Sequence, residues 1–245
     1  MIKKAVILAA GMGKRFQPIT RVIPKPMLPI GNKPTLDFII KELIDSGIEQ
    51  ILIVVGHRKE MIEEYYRDRV EIEFVIQNNL NGTAPAVLLA EDFVNGEAFA
   101  LCLSDEIVES IVPCTKQLMD VYTRNNASMV TAIEETTAVK IHSYNSVNMT
   151  EKQGNIAKIS SIIEKPQGSS PSLFTSIGRY IIAPEIFNII KSLKLEETRE
   201  LYLTEAFNLL LKDNAAYGLF FEGKRWDIGT KEGWIETNVR LGLID

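Results

Sequence analysis

Four cations, Lys14, Arg15, Arg21 and Lys25, crowd behind two glycines, Gly11 and Gly13, which themselves follow the apolar run Ala5-Val6-Ile7-Leu8-Ala9-Ala10. Glycine lets a backbone approach a ligand closely, and the cations say that the ligand is an anion. The stretch reads as a phosphate cradle: a buried strand, N–H groups exposed by the Gly11 and Gly13 turn, cations around it, and Pro24 and Pro26 stiffening the chain beside Lys25. Two familiar phosphate motifs are excluded. A dinucleotide turn needs a third glycine where Phe16 stands and a helix directly after it, and a Walker-type loop needs Ser or Thr where Arg15 follows Gly13-Lys14. Gln17-Pro18 and the segment Pro24 to Pro29 predict extended loop instead.

Two further stretches carry chemistry. In Leu101-Cys102-Leu103-Ser104-Asp105-Glu106 an acid stands just past a buried apolar run. At the mouth of a phosphate site Asp105 suits Mg2+, which takes one or two carboxylates and completes its shell with phosphate oxygens; its alternative reading is a helix cap, and Glu106 reads as a solvated neighbour. The second stretch is Gln77-Asn78-Asn79-Leu80-Asn81-Gly82-Thr83, in which Thr83 is a plausible N-cap and Gly82 permits close approach at the positive end of a helix.

Elements must hold these residues. Thr35 to Asp45 carries a helical stripe, Leu36, Ile39, Ile40, Leu43 and Ile44, which stops at Ser46-Gly47. Gln50 to Val55 is nearly continuous and β-branched, the pattern of an interior parallel strand. A helix over about 57–66, a strand at 72–76, a helix over 83–93 and a strand at 98–103 follow. Four strand–helix units predict an α/β fold: a doubly wound, mostly parallel, Rossmann-like sheet with ligands at the carboxyl ends of its strands, so loops 9–15, 77–83 and 104–106 converge. From about residue 128 the segments 128–133, 140–149 and 155–164 read as strands joined by turns. The expectation is a single domain over 1–245, with halves at about 1–127 and about 128–245.

The chain has 245 residues, 46% hydrophobic and 24% charged, with a formal net charge of −5. That length supports one well-buried domain, and the acidic balance argues against non-specific nucleic-acid binding. No apolar run reaches the ~20 residues of a membrane span. Met1-Ile2-Lys3-Lys4 lacks the start of a signal peptide, so the expectation is a cytoplasmic protein that uses no membrane. Cys102 and Cys114 give neither a disulfide framework nor a metal cluster and read as small core residues.

Leu8-Ala9-Ala10-Gly11-x-Gly13-x-Arg15-Phe16 followed by Pro24-Lys25-Pro26-Met27-Leu28-Pro29 resembles the signature of the sugar-nucleotide pyrophosphorylases, nucleotidyltransferases that make NDP-sugars from a nucleoside triphosphate and a sugar 1-phosphate. The resemblance continues in Glu164-Lys165-Pro166, in Gly178-Arg179-Tyr180-Ile181, which is close to the UTP:glucose-1-phosphate branch, and in Gly223-Lys224-Arg225-Trp226-Asp227-Ile228-Gly229. It implies the nucleotide-diphospho-sugar transferase fold with an added β-rich sugar part, and a nucleotide half followed by a sugar-phosphate half. It implies nucleotide contacts from Ala9, Ala10, Gly11, Gly13 and Lys14, with Gln77, Gly82 and Thr83 at the base. Arg15 falls on the β- and γ-phosphates and Lys25 on the α-phosphate, as the catalytic pair. Glu164 falls on sugar hydroxyls, Lys165 on the sugar phosphate, and Gly178 gives the hexose a backbone contact. Asp105 and Asp227 form a two-carboxylate Mg2+ site.

The chain departs from that pattern at Ser104, where relatives have Gly or Pro, at Trp226 for Tyr, and at Glu205 for Asp in Leu203-Thr204-Glu205-Ala206, which receives no ligand role. It also reads Tyr144-Asn145-Ser146-Val147 where relatives have Tyr-Gly-Val-Val, so the Asn145 side chain narrows the sugar pocket or meets a different hydroxyl. His57 and His142 need no role, and the chain ends at Asp245 without room for the left-handed β-helix of bifunctional acetylating relatives. The implied activity is Mg2+-assisted uridylyl transfer to glucose 1-phosphate by a homo-oligomer, a dimer or tetramer. Alternatives are thymidylyl, cytidylyl or guanylyl transfer to another sugar phosphate, a non-catalytic nucleotide-sugar-binding regulator and, least of all, a dinucleotide-dependent oxidoreductase.

Overall fold

In the computed structural model, which describes residues 2–193 and 199–242, the apolar run ahead of the two glycines is a strand, β1 (Lys4–Ala9), whose side chains divide between two cores. Ala5, Ile7 and Ala9 point to one face and Val6 and Leu8 to the other, the alternation that a strand imposes. A two-strand ribbon, β2 (Pro29–Ile30) and β3 (Lys33–Pro34), leads into α1 (Thr35–Asp45), β4 (Gln50–Val55), α2 (Lys59–Tyr66) and β5 (Ile72–Ile76). Then come α3 (Thr83–Leu88), α4 (Glu91–Val94), β6 (Phe99–Leu103), β7 (Glu106–Glu109) and α5 (Cys114–Asn125). The second half has β8 (Met129–Glu135), β9 (Asn145–Gln153), β10 (Ile156–Glu164), β11 (Phe174–Ile182), α6 (Ile186–Ser192), α7 (Leu203–Leu210), β12 (Ala216–Phe220), β13 (Lys224–Asp227) and α8 (Lys231–Leu241).

The main sheet runs β5-β4-β1-β6-β11-β8-β12-β10-β9. Its first four strands are mutually parallel; β11 is antiparallel to β6 and β8, β12 is parallel to β8, and β10 is antiparallel to β12 and β9. From β1 the chain builds outward through β4 to β5, then returns to add β6 on the other side. That reversal opens a crevice at the carboxyl ends of β1 and β6, where an open α/β sheet collects its ligands. One face packs on α1, α2 and α5 through Leu36, Ile39, Leu43, Ile62 and Leu118; the other packs on α3, α6 and α7 through Val87, Ile186 and Phe207. The fold is thus the doubly wound α/β sheet with an added β-rich part. No described helix is long and apolar enough to cross a membrane.

Three local expectations change. The helix expected over 83–93 breaks at Leu89-Ala90, because Ala90 sits at φ −90° and ψ 0° while Val87 and Val94 both turn into the core. Lys140–Ser143 is a 3-10 turn rather than strand, anchored by buried Ile141, and β9 starts only at Asn145. Lys14–Phe16, Ile19–Arg21 and Lys25–Met27 are also 3-10 turns, so the proline-rich segment is compactly folded instead of extended. Cys102 and Cys114 are free and buried, as their apolar surroundings suggest.

Candidate active site

Two cavities open side by side at the crevice. The larger, about 480 Å3, is walled by the Gly11–Phe16 turn, Lys25, Gln77, Gly82, Ser104 and Asp105, so the three loops named from the sequence do converge. The smaller, about 280 Å3, is walled by β9, β10, β11 and α7 through Asn145, Glu164, Ser176, Tyr180 and Phe207. Their shared wall carries Arg15, Asp105, Lys165, Tyr202 and Gly229.

The charged groups at that wall hold one another. Lys25 Nζ donates to Asp105 Oδ2 at 2.5 Å, with side chains 17% and 26% exposed, so Lys25 is half-buried and paired rather than exposed in the cleft. Burial pushes the Asp105 carboxyl up, but the Lys25 ammonium, its hydrogen bond and Arg15 hold it below the usual carboxylate range. Asp105 caps no helix: its carbonyl accepts from Ile228 N, which ties the β6 loop to the end of β13. Asp227 Oδ1 accepts from Gly229 N at 2.7 Å, and its Oδ2 accepts from the Tyr144 hydroxyl. That phenol is pushed up to about 12 by burial and by its bond to Asp227, so it is a donor at neutral pH.

Behind them lies a network that the sequence did not reveal. Glu106 stands directly across the β7–β13 pair from Asp227, a like-charge juxtaposition. Arg225 relieves it, donating to Glu106 Oε1 at 2.7 Å and lying 2.8 Å from Glu134, with its guanidinium 4.8 Å from the Tyr144 ring centroid. Glu106 is therefore buried and not a solvated neighbour; burial raises its carboxyl, and Arg225 pulls the other way. The available signal was strand period: residues 225 and 227 share a face, so a cation at 225 stands beside an acid at 227.

On the smaller cavity's floor, Asn145 faces Glu164 across β9 and β10. Glu164 Oε1 lies 3.6 Å from Lys165 Nζ, and its Oε2 accepts from Thr204 Oγ1 at 3.4 Å. Lys165 has φ 41°, a left-handed backbone rare for a side chain this size, and its ammonium sits 4.8 Å from the Tyr202 ring centroid. Tyr202 itself donates to Glu200 at 2.7 Å; neither residue was singled out from the sequence. Glu205 is bonded to the start of its own helix and to Arg199. Gly178 does line this cavity, but its N–H donates to Glu106 and its C=O accepts from Arg179, so it has no free donor for a hexose. Glycine is needed there because a Cβ would lie 2.5 Å from Leu103 Cβ.

The larger cavity also corrects several assignments. Ala10, Gly11, Gly13, Lys14 and Arg15 line it, whereas Ala9 is buried in the core and does not. A Cβ at Gly11 would meet open space, so the chain approaches the cavity there with nothing between. Gln77 reaches the cavity but donates its amide to Gly82 O at 3.0 Å, which leaves its carbonyl oxygen to face a ligand. Gly82, not Thr83, is the N-cap of α3; its close approach is to Leu201, whose carbonyl would lie 2.2 Å from a Cβ. Thr83 Oγ1 accepts from Leu203 N at 2.9 Å. His57 and His142 bond to the carbonyls of Thr20 and Pro166, structural partners both.

Gly229 shows what the carboxylates fit. A Cβ at that position would stand 2.8 Å from Asp227 Oδ1, 3.5 Å from Asp105 Oδ2 and 3.6 Å from Arg15 Nη1. Two carboxylates thus converge on a space kept clear by a glycine. Among the described residues no cluster of three or more His, Cys, Asp or Glu could hold a metal alone. Two carboxylates with room for phosphate oxygens are instead the donor set that Mg2+ accepts.

A doubly wound sheet whose switch point carries a cation-rich glycine turn, beside a second cavity with polar side chains, defines a nucleotide-dependent transferase. The nucleotidyl transferase family matches residues 4–242, and the chain belongs to that family. UTP–glucose-1-phosphate uridylyltransferases of Staphylococcus epidermidis and Staphylococcus haemolyticus are 35% and 36% identical to it, over 100% of this chain and 93% of each relative. A crystal structure of UDP-glucose pyrophosphorylase complexed with UDP-glucose superposes with a TM-score of 0.92 at 32% identity, covering 98% of both chains. An apo UDP-glucose pyrophosphorylase gives 0.87 at 30% identity, over 98% of this chain and 97% of that one.

Proposed function

We propose that the chain transfers a uridylyl group from UTP to glucose 1-phosphate, giving UDP-glucose and pyrophosphate. The observation that carries this reading is the shared wall: two cavities of suitable size meet at Arg15, Asp105, Lys165 and Gly229, where two anionic reactants have to be brought together. The full-length likeness to uridylyltransferases supports UTP and glucose 1-phosphate as the pair. The nucleotide takes the larger cavity, built mostly by residues 1–127, and the sugar phosphate the smaller, built mostly by 128–245, within one domain.

In this mechanism an oxygen of the sugar phosphate attacks the α-phosphorus of UTP. A new P–O bond forms, the bond to the β-phosphate oxygen breaks in line with it, and pyrophosphate leaves with that electron pair. The attacking oxygen is already ionised, so no residue has to take a proton. Positioning and charge neutralisation supply the catalysis. Arg15 holds the β- and γ-phosphates, Lys25 turns from Asp105 to the α-phosphate, and Lys165 neutralises the incoming phosphate. Gln77 and Thr83 address the base, and Glu164 accepts from sugar hydroxyls. Asp105 and Asp227 would hold Mg2+, which when bound would supply neutralisation of phosphate charge. The reading includes a cytoplasmic homo-oligomer, a dimer or tetramer, whose mass light scattering measures.

Pyrophosphate release with Mg2+, glucose 1-phosphate and each of UTP, dTTP, CTP, GTP and ATP tests the reading. Fast turnover with UTP alone is expected. Turnover with another nucleotide overturns the base assignment, and silence with all five across a sugar-phosphate panel overturns the activity.

A further inference from the structure

The Asn145 carboxamide is oriented by its neighbours. Its Oδ1 accepts from the backbone N–H of Ser176 at 2.9 Å and from the Ser176 hydroxyl at 3.0 Å. A backbone N–H can only donate, so the atom facing it has to be the carbonyl oxygen, and the amide NH2 turns the other way. Ser176 is fixed in turn, its hydroxyl lying 3.0 Å from that of buried Tyr180. Among the described residues the Asn145 NH2 has no hydrogen-bond partner, and Asn145 lines the smaller cavity.

Across the sheet pair Asn145 faces Glu164. Residues directly opposite in an antiparallel pair project from the same face, so the cavity floor carries a fixed two-proton donor beside a fixed acceptor, with Leu103, Tyr180 and Phe207 among its other walls. That is a surface for a polyol ring: hydroxyls that donate to a carboxylate, an oxygen that accepts from an amide, and C–H edges against apolar groups.

We propose that Asn145 determines the sugar specificity of this chain, donating from its NH2 to one hydroxyl oxygen of a hexose 1-phosphate next to the hydroxyls served by Glu164. The proposal rests on the reading of the smaller cavity as the sugar-phosphate site. The consequence is selectivity by hydrogen bond: a site built to donate to an oxygen rejects the analogue that lacks it, since the donor is then left unpaired.

The test is a cycle between Asn145 and single hydroxyls of the substrate. Glucose 1-phosphate and its 2-, 3-, 4- and 6-deoxy analogues are compared in the wild type, in Asn145→Gly and in Asn145→Asp, with UTP saturating and thermal unfolding recorded for each variant. Asn145→Asp keeps an acceptor for Ser176 and removes the donor, but it also sets a carboxylate opposite Glu164. Each analogue is therefore compared with glucose 1-phosphate within the same variant, which cancels the added charge and stays informative if Asn145→Gly fails to fold. For one analogue the wild type is expected to lose about tenfold in kcat/KM relative to glucose 1-phosphate, and both variants less than about threefold, with the KM for UTP unchanged. Equal losses for every analogue in wild type and variants overturn the proposal. If the wild type ignores glucose 1-phosphate but accepts another sugar phosphate, the glucose reading falls. The same cycle on that sugar's deoxy analogues then decides Asn145.

Discussion

Lys25 Nζ donates to Asp105 Oδ2 at 2.5 Å, so the cation proposed for the α-phosphate is bonded to a carboxylate proposed for the metal. In the proposed mechanism substrate and metal would compete with this ion pair: Lys25 would leave Asp105 for the α-phosphate, and Asp105 would then turn to Mg2+. Lys25→Ala removes a positioned cation and is expected to lower kcat by a factor of about 100 or more. It also removes the competitor, so half-saturation by Mg2+ without nucleotide, followed by thermal shift, moves to a lower concentration. A higher concentration contradicts the competition, and wild-type turnover removes Lys25 from the catalytic pair. The pair is only partly exposed, so a stability loss of about 1 kcal/mol accompanies the change.

Gly229→Ala inserts one methyl into the space that the two carboxylates face. Its Cβ stands 2.8 Å from Asp227 Oδ1 and 3.5 Å from Asp105 Oδ2, so the Asp227 carboxylate has to shift. The backbone at 229 is not in the left-handed region, which makes alanine tolerable for folding. The expected result is a melting temperature near that of wild type with pyrophosphate release down about 100-fold or more and a weakened Mg2+ titration. An unchanged metal titration shows that the carboxylate pair holds no metal.

What the sequence made legible was whatever is local and periodic. The helix Thr35–Asp45 and the strands Gln50–Val55 and Ile72–Ile76 begin and end where the pattern puts them, because apolar spacing and the Ser46-Gly47 stop act within a few residues. Gly11, Arg15, Lys25 and Asp105 were visible because each follows a strand end or sits among prolines. The partners that hold them were not. Arg225 meets Glu106 and Glu134 from 119 and 91 residues away in sequence, and Tyr144 meets Asp227 from 83. The hexose contact of Gly178 came from the resemblance alone, and the steric reason for glycine there, Leu103 Cβ at 2.5 Å from a Cβ, comes from a strand far away in sequence.

Cys102 and Cys114 are expected to stay unreactive in the folded protein. Burial pushes the Cys102 thiol up to about 12 and raises Cys114 well above its usual value, so neither is a thiolate at neutral pH. An aromatic disulfide reagent at pH 8 should therefore label no thiol before unfolding and two after it. The linked effect on stability has a definite sign. The folded state holds the thiol proton more tightly, so the contribution is complete below the unfolded value of roughly 8.5 and is lost as pH rises toward 12. Rapid labelling at pH 8 contradicts the burial that sets this shift.

Arg179 ties the core to the loop that carries Asp105. It is fully buried, and its Nε donates to Glu42 Oε2 at 2.9 Å while Glu42 Oε1 accepts from Thr115 N and Oγ1. Its other nitrogens donate to Leu103 O and Glu106 O, the carbonyls that bracket Asp105. Breaking such a pair on one side leaves a buried charge alone, and Arg179→Leu is expected to cost about 3–5 kcal/mol in urea unfolding. Glu42→Leu should cost a similar amount, whereas the double variant should cost less than the sum, since no lone charge remains. Stability and activity then part company. The double variant recovers part of its folding free energy, but the 103–106 loop still lacks its donors, so turnover stays low and the KM for nucleotide stays high. Recovery of both together means that Arg179 serves the core alone and does not hold Asp105 in place.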